Sequence, residues 1–347
     1  MLDIVVSAFP SDANVLVWSG ASSLSVAYTA WKAIRDGEHC VVVTTRVGAY
    51  TLPHPSTRVV LIASGEDDYF DQEQNPHIDV LRALHIARKY SAFTSLSLCT
   101  FPRPEDGNLS ADLWSAGEIN LINLKDSLRI SEHIFISDEL IEQIRTNPPI
   151  NKPWILYFNM IQGDGFTAEK IRQELQTIFR EYDINLVTAG MSLPVSGIVI
   201  ITKTFLHMVN ILSPELIGLA IINADQECIL RGFRSLEQGG RTLRRLVSVA
   251  RGAEAPIIIQ SFDIKAIKNL LGPTSEYFNN EETARRILGY PPFKDTAVAL
   301  SRDGKPPNIQ KTEPYKIISE WLTAPPEIDI ITNPDQYDFA HFDTPKP

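Results

Sequence analysis

What most constrains this chain is an alternation. Short apolar runs rich in β-branched residues are followed, almost throughout, by stretches with helical periodicity, the signature of βαβ units and parallel sheets. The first run, Val15-Leu16-Val17-Trp18, passes through Ser19-Gly20-Ala21-Ser22-Ser23 into a helical stretch from Leu24 to Asp36, and Gly37 is placed to end it. Cys40 to Thr45 and Arg58 to Ala63 read as buried strands, Asn75 to Tyr90 as helix and Thr94 to Cys99 as strand. A second series follows. Ser137-Asp138-Glu139 opens a helix, Trp154 to Asn159 is a strand, and Thr167 to Tyr182 is an amphipathic helix. Ile198 to Ile201, Leu216 to Ile222 and Pro256 to Gln260 supply further strands.

The fold class is therefore α/β. The 347 residues exceed one ordinary core, and the two series divide into domains at 1–125 and 126–275. From 276 to 347 the pattern weakens into a remnant domain and tail, proline-rich after Lys305, with one short helix around Pro314 to Trp321.

Composition narrows the partners. The net charge is −10, so any DNA contact has to come from a local patch. No apolar run approaches the roughly 20 residues of a membrane span, and the start has no basic segment of the kind that begins a secretory signal, so a cytoplasmic protein without a membrane partner is expected. The three cysteines, Cys40, Cys99 and Cys228, form no CxxC pair and fit buried thiols in a reducing compartment. The seven histidines are scattered without a ligand partner at metal spacing, so no zinc or other metal site is expected.

Several strings occur in a telling order. Val43-Thr44-Thr45-Arg46 precedes Val59-Val60-Leu61-Ile62 and Glu66-Asp67-Asp68-Tyr69; Asn159 precedes Gly163; Ile221-Ile222-Asn223-Ala224-Asp225 precedes Gly232-Phe233-Arg234-Ser235-Leu236-Glu237. Glu281 to Arg286 then runs into Leu288-Gly289-Tyr290-Pro291-Pro292-Phe293. As an ordered set over residues 15 to 293, this resembles the primosomal protein N′ (PriA) family, superfamily 2 helicases of replication restart. The resemblance implies two tandem RecA-like domains, with ATP and Mg²⁺ as cofactors and DNA forks, single strands or replication and repair proteins as partners.

The chemistry that such a motor needs is largely missing from the matching positions. Its phosphate loop wraps ATP with backbone N–H groups, a lysine and a metal-binding hydroxyl. The corresponding Ser19, Gly20, Ser22 and Ser23 include no lysine and one glycine. They can hold an anion weakly at the helix start, or simply cap the helix at Leu24. The metal-holding acidic pair maps near Glu66 and Asp67, two residues past the strand end, as displaced carboxylates or ordinary loop residues. Arg251 stands where the family carries its arginine finger, without the flanking glycines or second arginine. Loss of such a finger costs roughly 10³–10⁵ in rate. The family's cysteine-rich zinc module is absent.

One basic stretch remains, Arg231 to Arg251. Within it Arg241, Arg244 and Arg245 share a helix face at i, i+3 and i+4. They read either as a contact for DNA phosphates or an acidic partner, or as a solvated face paired with Glu227 and Glu237. The functional expectation is a PriA-like protein without ATPase or helicase activity, binding DNA or protein in replication or repair. The alternatives are a divergent, active DNA-dependent ATPase and an interaction scaffold with no DNA role.

Overall fold

The structure is a computed structural model. It describes residues 2–62, 70–71, 78–99, 101–103, 114, 116–126, 136–159, 167–188, 191–203, 206, 215–228, 234–290, 293, 295–301, 308–312 and 328–332. The chain divides into two compact units, Met1–Gly107 with Ala284–Pro334, and Asn108–Thr283.

The first unit begins with α1 (Leu2–Ser7), β1 (Val15–Trp18), α2 (Leu24–Asp36) and β2 (Val41–Thr44). β1 and β2 pair in parallel, Val15 opposite Val41. α2 starts where Ser23 is extended and its hydroxyl accepts from Val26 N, and it ends at Gly37, whose φ of +69° lies in the left-handed region. A Cβ there would stand 2.7 Å from the His54 ring, so shape and backbone both demand glycine. Next come β3 (Arg58–Ile62), β4 (Phe70–Asp71), β5 (Ile78–Asp79), α3 (Val80–Ser91) and β6 (Thr94–Leu98). β3 and β6 also pair in parallel, with Val60 opposite Leu96 and Ile62 opposite Leu98. Val59 and Leu61 turn the other way, onto Val80, Leu84 and Phe93.

The second unit holds β7 (Asn120–Asn123), α4 (Asp138–Thr146), β8 (Trp154–Tyr157), α5 (Ala168–Ile178), β9 (Ile184–Val187), β10 (Ile198–Ile201), β11 (Gly218–Ile221), α6 (Asp225–Cys228), α7 (Ser235–Gly252), β12 (Ile257–Ser261), α8 (Ile264–Leu271) and α9 (Thr274–Leu288), the last running on into the first unit. Its six strands form one sheet in the order β7-β12-β11-β8-β10-β9, and every pairing is parallel. Parallel strands have to be covered on both faces, which is why β8, β10 and β11 read as continuous apolar runs. On one face Trp154, Leu156, Ile198 and Ile200 pack with Leu140 and Ile144 of α4 and with Ile171 and Leu175 of α5. Ile155, Val199, Leu219 and Ile221 are equally buried on the other, where α7 meets β11. This is α/β architecture, built on a six-stranded, all-parallel sheet covered by helices on both faces.

Two expectations move. β7 pairs with β12, so the second unit begins before the expected boundary at 125. The region after Phe293 carries an antiparallel sheet in the order β14-β13-β15, from β13 (Asp295–Ser301), β14 (Asn308–Thr312) and β15 (Ile328–Thr332). The helix expected around Pro314 to Trp321 lies outside the described residues, as do Gly163, Arg231 to Phe233, Pro291 and Pro292. Leu288-Gly289-Tyr290 of the last string closes α9: Gly289 has φ +67° and Tyr290 N donates to Arg285 O at 2.9 Å.

Candidate functional site

In an open parallel sheet a ligand crevice forms at the carboxyl ends of two adjacent strands whose helices leave to opposite faces. β8 and β11 are such a pair in the second unit. β8 hands the chain to α5 on one face and β11 hands it to α6 and α7 on the other. The side chains that this edge gathers follow the strand ends: Asn159 after β8, Thr202 and Lys203 after β10, Asn223 and Asp225 after β11, and Ser261 and Asp263 after β12.

Under the edge lies a buried acid. Glu227 is fully buried, and Tyr157 Oη donates to its Oε1 at 2.7 Å. Burial pushes its carboxyl above the ordinary range, while the Tyr157 hydrogen bond, the Lys203 charge, Thr242 and Asn159 pull it back. The Tyr157 hydroxyl is raised well above its usual value by burial first, and then by the neighbouring carboxylate. α7 closes over this pair at Gly239, where a Cβ would stand 2.7 Å from the Glu227 carbonyl oxygen. Beside it the Cys228 thiol is pushed up to about 12, mainly by burial and then by Asp225, Glu227 and Asp263. Such a thiol stays protonated and unreactive at neutral pH.

Asp225 serves the edge differently. Its Oδ1 accepts from Ser261 Oγ at 2.8 Å and from Asp263 N at 3.1 Å, and its Oδ2 from Phe262 N at 2.7 Å, so it ties the end of β11 to the turn after β12. Asp263 in turn caps α8 by accepting from Ala266 N at 3.0 Å. In the sequence Asp225 falls within a family string, whereas Glu227 shows only as a surface partner for the arginines. Glu227's burial depends on Tyr157, 70 positions away, which no local pattern carries.

The expected nucleotide turn is folded on itself. Ser22 Oγ accepts from Ser19 N at 2.9 Å, Ser22 N donates to Ser19 O at 3.0 Å, and Ala21 N reaches Ser19 Oγ at 3.3 Å. Ser23 is the N-cap of α2. A Cβ at Gly20 would meet nothing within 4 Å. Glu66 and Asp67 lie outside the described residues. Arg251 is exposed in the last turn of α7.

The arginine stripe needs correcting. Arg241 and Arg244 are buried, Arg244 completely, and Arg245 is half-buried. Arg244 donates to Leu270 O at 2.9 Å, Gly272 O at 2.8 Å and Thr274 Oγ1 at 2.8 Å, with its guanidinium 4.8 Å from the centre of the Trp114 ring. It neutralises the carboxyl end of α8 and joins α8 to α9. Arg241 and Arg244 point inward and serve as neither a phosphate contact nor a solvated face, which leaves half-buried Arg245, and Glu237, like Glu227, is buried rather than a surface partner.

Among the described residues no group of three or more His, Cys, Asp or Glu is placed to hold a metal ion. Nor is any described helix long and apolar enough to cross a membrane. No family model matches this chain, and no curated protein matches it. Among solved structures it is similar to RecG bound to a three-way DNA junction, at 15% identity and a TM-score of 0.39 over 80% of this chain. It spans 37% of that chain.

Proposed function

We propose that this chain is a helicase-like protein related to the PriA family that binds DNA or a protein partner without hydrolysing ATP. The observation that carries the reading is the Ser19–Ser23 turn. A phosphate loop presents its N–H groups outward to the ligand, whereas here the Ser19 and Ser22 N–H groups are taken by Ser22 Oγ and Ser19 O, and no lysine stands in the loop. Thermal unfolding with and without millimolar ATP and Mg²⁺ tests it. No shift is expected, whereas a ligand at 100 times its dissociation constant would add about 2.7 kcal/mol. A clear shift, or ATP hydrolysis that disappears in Ser22→Ala, overturns the reading.

Between the two kinds of partner, the burial of Arg241 and Arg244 favours protein, because it removes most of the basic stripe from the surface of an acidic chain. Gel-shift titration against forked DNA across a salt series separates the two. Binding that weakens steeply with salt, and further in Arg245→Glu, would restore DNA as the partner.

A further inference from the structure

We propose that the outer face of α2 in the first unit pairs with the same face of a second copy of this chain, the two helices running antiparallel about a two-fold axis. The pairing is independent of what the Ser19–Ser23 turn holds. α2 is turned the wrong way for a surface helix. It lies on β1 and β2, yet the residues it buries are Ala30 and Ala33. Its larger side chains point out: Leu24 is 90% exposed and Tyr28 61%, Trp31 is half-buried and Arg35 is exposed. A surface helix ordinarily buries its large apolar side chains and shows water its polar ones. An apolar stripe left outside marks an interaction surface.

The stripe has the spacing of a helix-pairing seam. Leu24, Tyr28, Trp31 and Arg35 follow one another at four, three and four residues, the alternation of heptad positions a and d. At 3.6 residues per turn they fall in one narrow strip, with Ala30 and Ala33 on the other side of the helix. The strip is already ordered. The Tyr28 and Trp31 ring centres are 5.8 Å apart, and the Arg35 guanidinium lies 4.4 Å from the centre of the Trp31 ring. Tyr, Trp and Arg are the side chains that carry most of the energy at protein interfaces, and ordering them beforehand lowers the cost of docking.

Symmetry and charge identify the occupant. Reversed about a two-fold between Thr29 and Ala30, the seam is its own complement: Tyr28 meets Trp31 of the second copy, and Leu24 meets the aliphatic stem of its Arg35. The charges agree. The first turn of α2 carries no acid to complement its positive end, while Asp36 stands at the carboxyl end, where a carboxylate is unfavourable. Within one copy only Arg35, at 2.7 Å, offsets it at close range. Antiparallel pairing brings Asp36, and Glu38 just beyond it, to the amino end of the second copy's helix. Parallel pairing would instead set Arg35 on Arg35 and amino end beside amino end. The 13-residue seam is roughly 20 Å long, at the small end of specific interfaces, so a weak, concentration-dependent dimer is expected.

Sedimentation equilibrium of the full chain, from micromolar to near-millimolar concentration, is the test. A monomer–dimer equilibrium is expected. Leu24→Ser combined with Tyr28→Ser, at two positions that already face water in the monomer, should raise the dissociation constant at least tenfold without lowering Tm. Asp36→Asn should raise it severalfold. A chain that stays monomeric throughout overturns the proposal. So does a dimer whose dissociation constant is unchanged in the serine variant, which would put the interface elsewhere, as on the outer face of β3 and β6. Should the serine variant fail to fold, Asp36→Asn decides alone, and a dissociation constant equal to the parent's refutes the antiparallel pairing.

Discussion

The chain contains parallel β-structure in both units, and they treat it in opposite ways. In the second unit β8, β10 and β11 are buried at every position, with helices on both faces. In the first unit, among the described residues, β3 and β6 are covered on one face. The cross-strand pairs Val60–Leu96 and Ile62–Leu98 turn outward, and all four residues are between 47% and 54% exposed. Their inner neighbours include Ser95, which receives Arg88 at 3.4 Å. A parallel strand gains most when both faces are dry, so truncations in β8, β10 and β11 are expected to cost more than truncations on the outer face of β3 and β6.

Truncating one apolar side chain in each unit breaks or sharpens that contrast most strongly. Trp154→Ala removes the largest fully buried side chain, whose indole donates to Asn147 O at 2.7 Å and lies against Gly218. It should cost about 3–5 kcal/mol in chemical denaturation. Leu96→Ala in the first unit should cost under about 1 kcal/mol, because the side chain is already half in water. Equal costs would mean that the outer face of β3 and β6 is covered in solution.

The next effect separates two neighbours on one helix. Arg244→Ala leaves one buried and one part-buried carbonyl and a threonine hydroxyl without their donor and strips the cation from Trp114, for a loss of about 2–4 kcal/mol. Arg245→Ala, half-buried, should cost under about 1 kcal/mol. Arg244→Lys should not rescue, since one ammonium cannot reproduce the planar fork. Similar losses for the two alanine variants would put Arg244 nearer the surface than its burial indicates.

These residues also show what the sequence carried and what it could not. Trp154 to Tyr157, Ile198 to Ile201 and Gly218 to Ile221 were legible because full burial writes itself as an unbroken apolar run. Asn120–Asn123 and Ile184–Val187 were not. Both are edge strands of the same sheet, paired on one side only, and their apolar and polar residues are mixed. For Arg241, Arg244 and Arg245 the periodicity was correct but gave no direction. A helix face repeats identically whether it points to solvent or to Trp114 and Leu270, which lie far off in sequence. Glu227 was hidden for the same reason, its environment being set by Tyr157 on β8 and Lys203 after β10. The N-caps Ser23, Ser137 and Thr167 were readable because each acts within three residues.

Glu227 makes the buried edge of the second unit sensitive to pH. Its folded-state pKa is raised above the unfolded value by burial. The folded state therefore holds the proton more tightly, and this contribution is fully present below the ordinary carboxylate range. It is lost as pH climbs from about 4.5 through the raised value. Relative to Glu227→Gln, the parent should lose stability across that window, by about 1.4 kcal/mol for each pH unit between the unfolded and folded midpoints. Parallel curves for the two proteins would show that Tyr157 and Lys203 fully offset the burial.

The smallest expected effect returns to the first unit. Gly20 is not among the glycines with positive φ, and a Cβ would meet nothing within 4 Å. Gly20→Ala should therefore be neutral, or stabilise by about 0.4–1 kcal/mol through the unfolded chain. Gly218→Ala, in the tightly packed second unit, drives a Cβ into the Trp154 ring and should destabilise clearly. The pair tests function as well as packing. A glycine in a working phosphate loop is needed because the backbone approaches the ligand too closely for a side chain. If Gly20→Ala leaves stability untouched and no ATP-dependent shift exists to lose, the turn is a helix cap. If it abolishes such a shift, the turn closes around a nucleotide, and the absence of a lysine in it has been made good by another part of the chain.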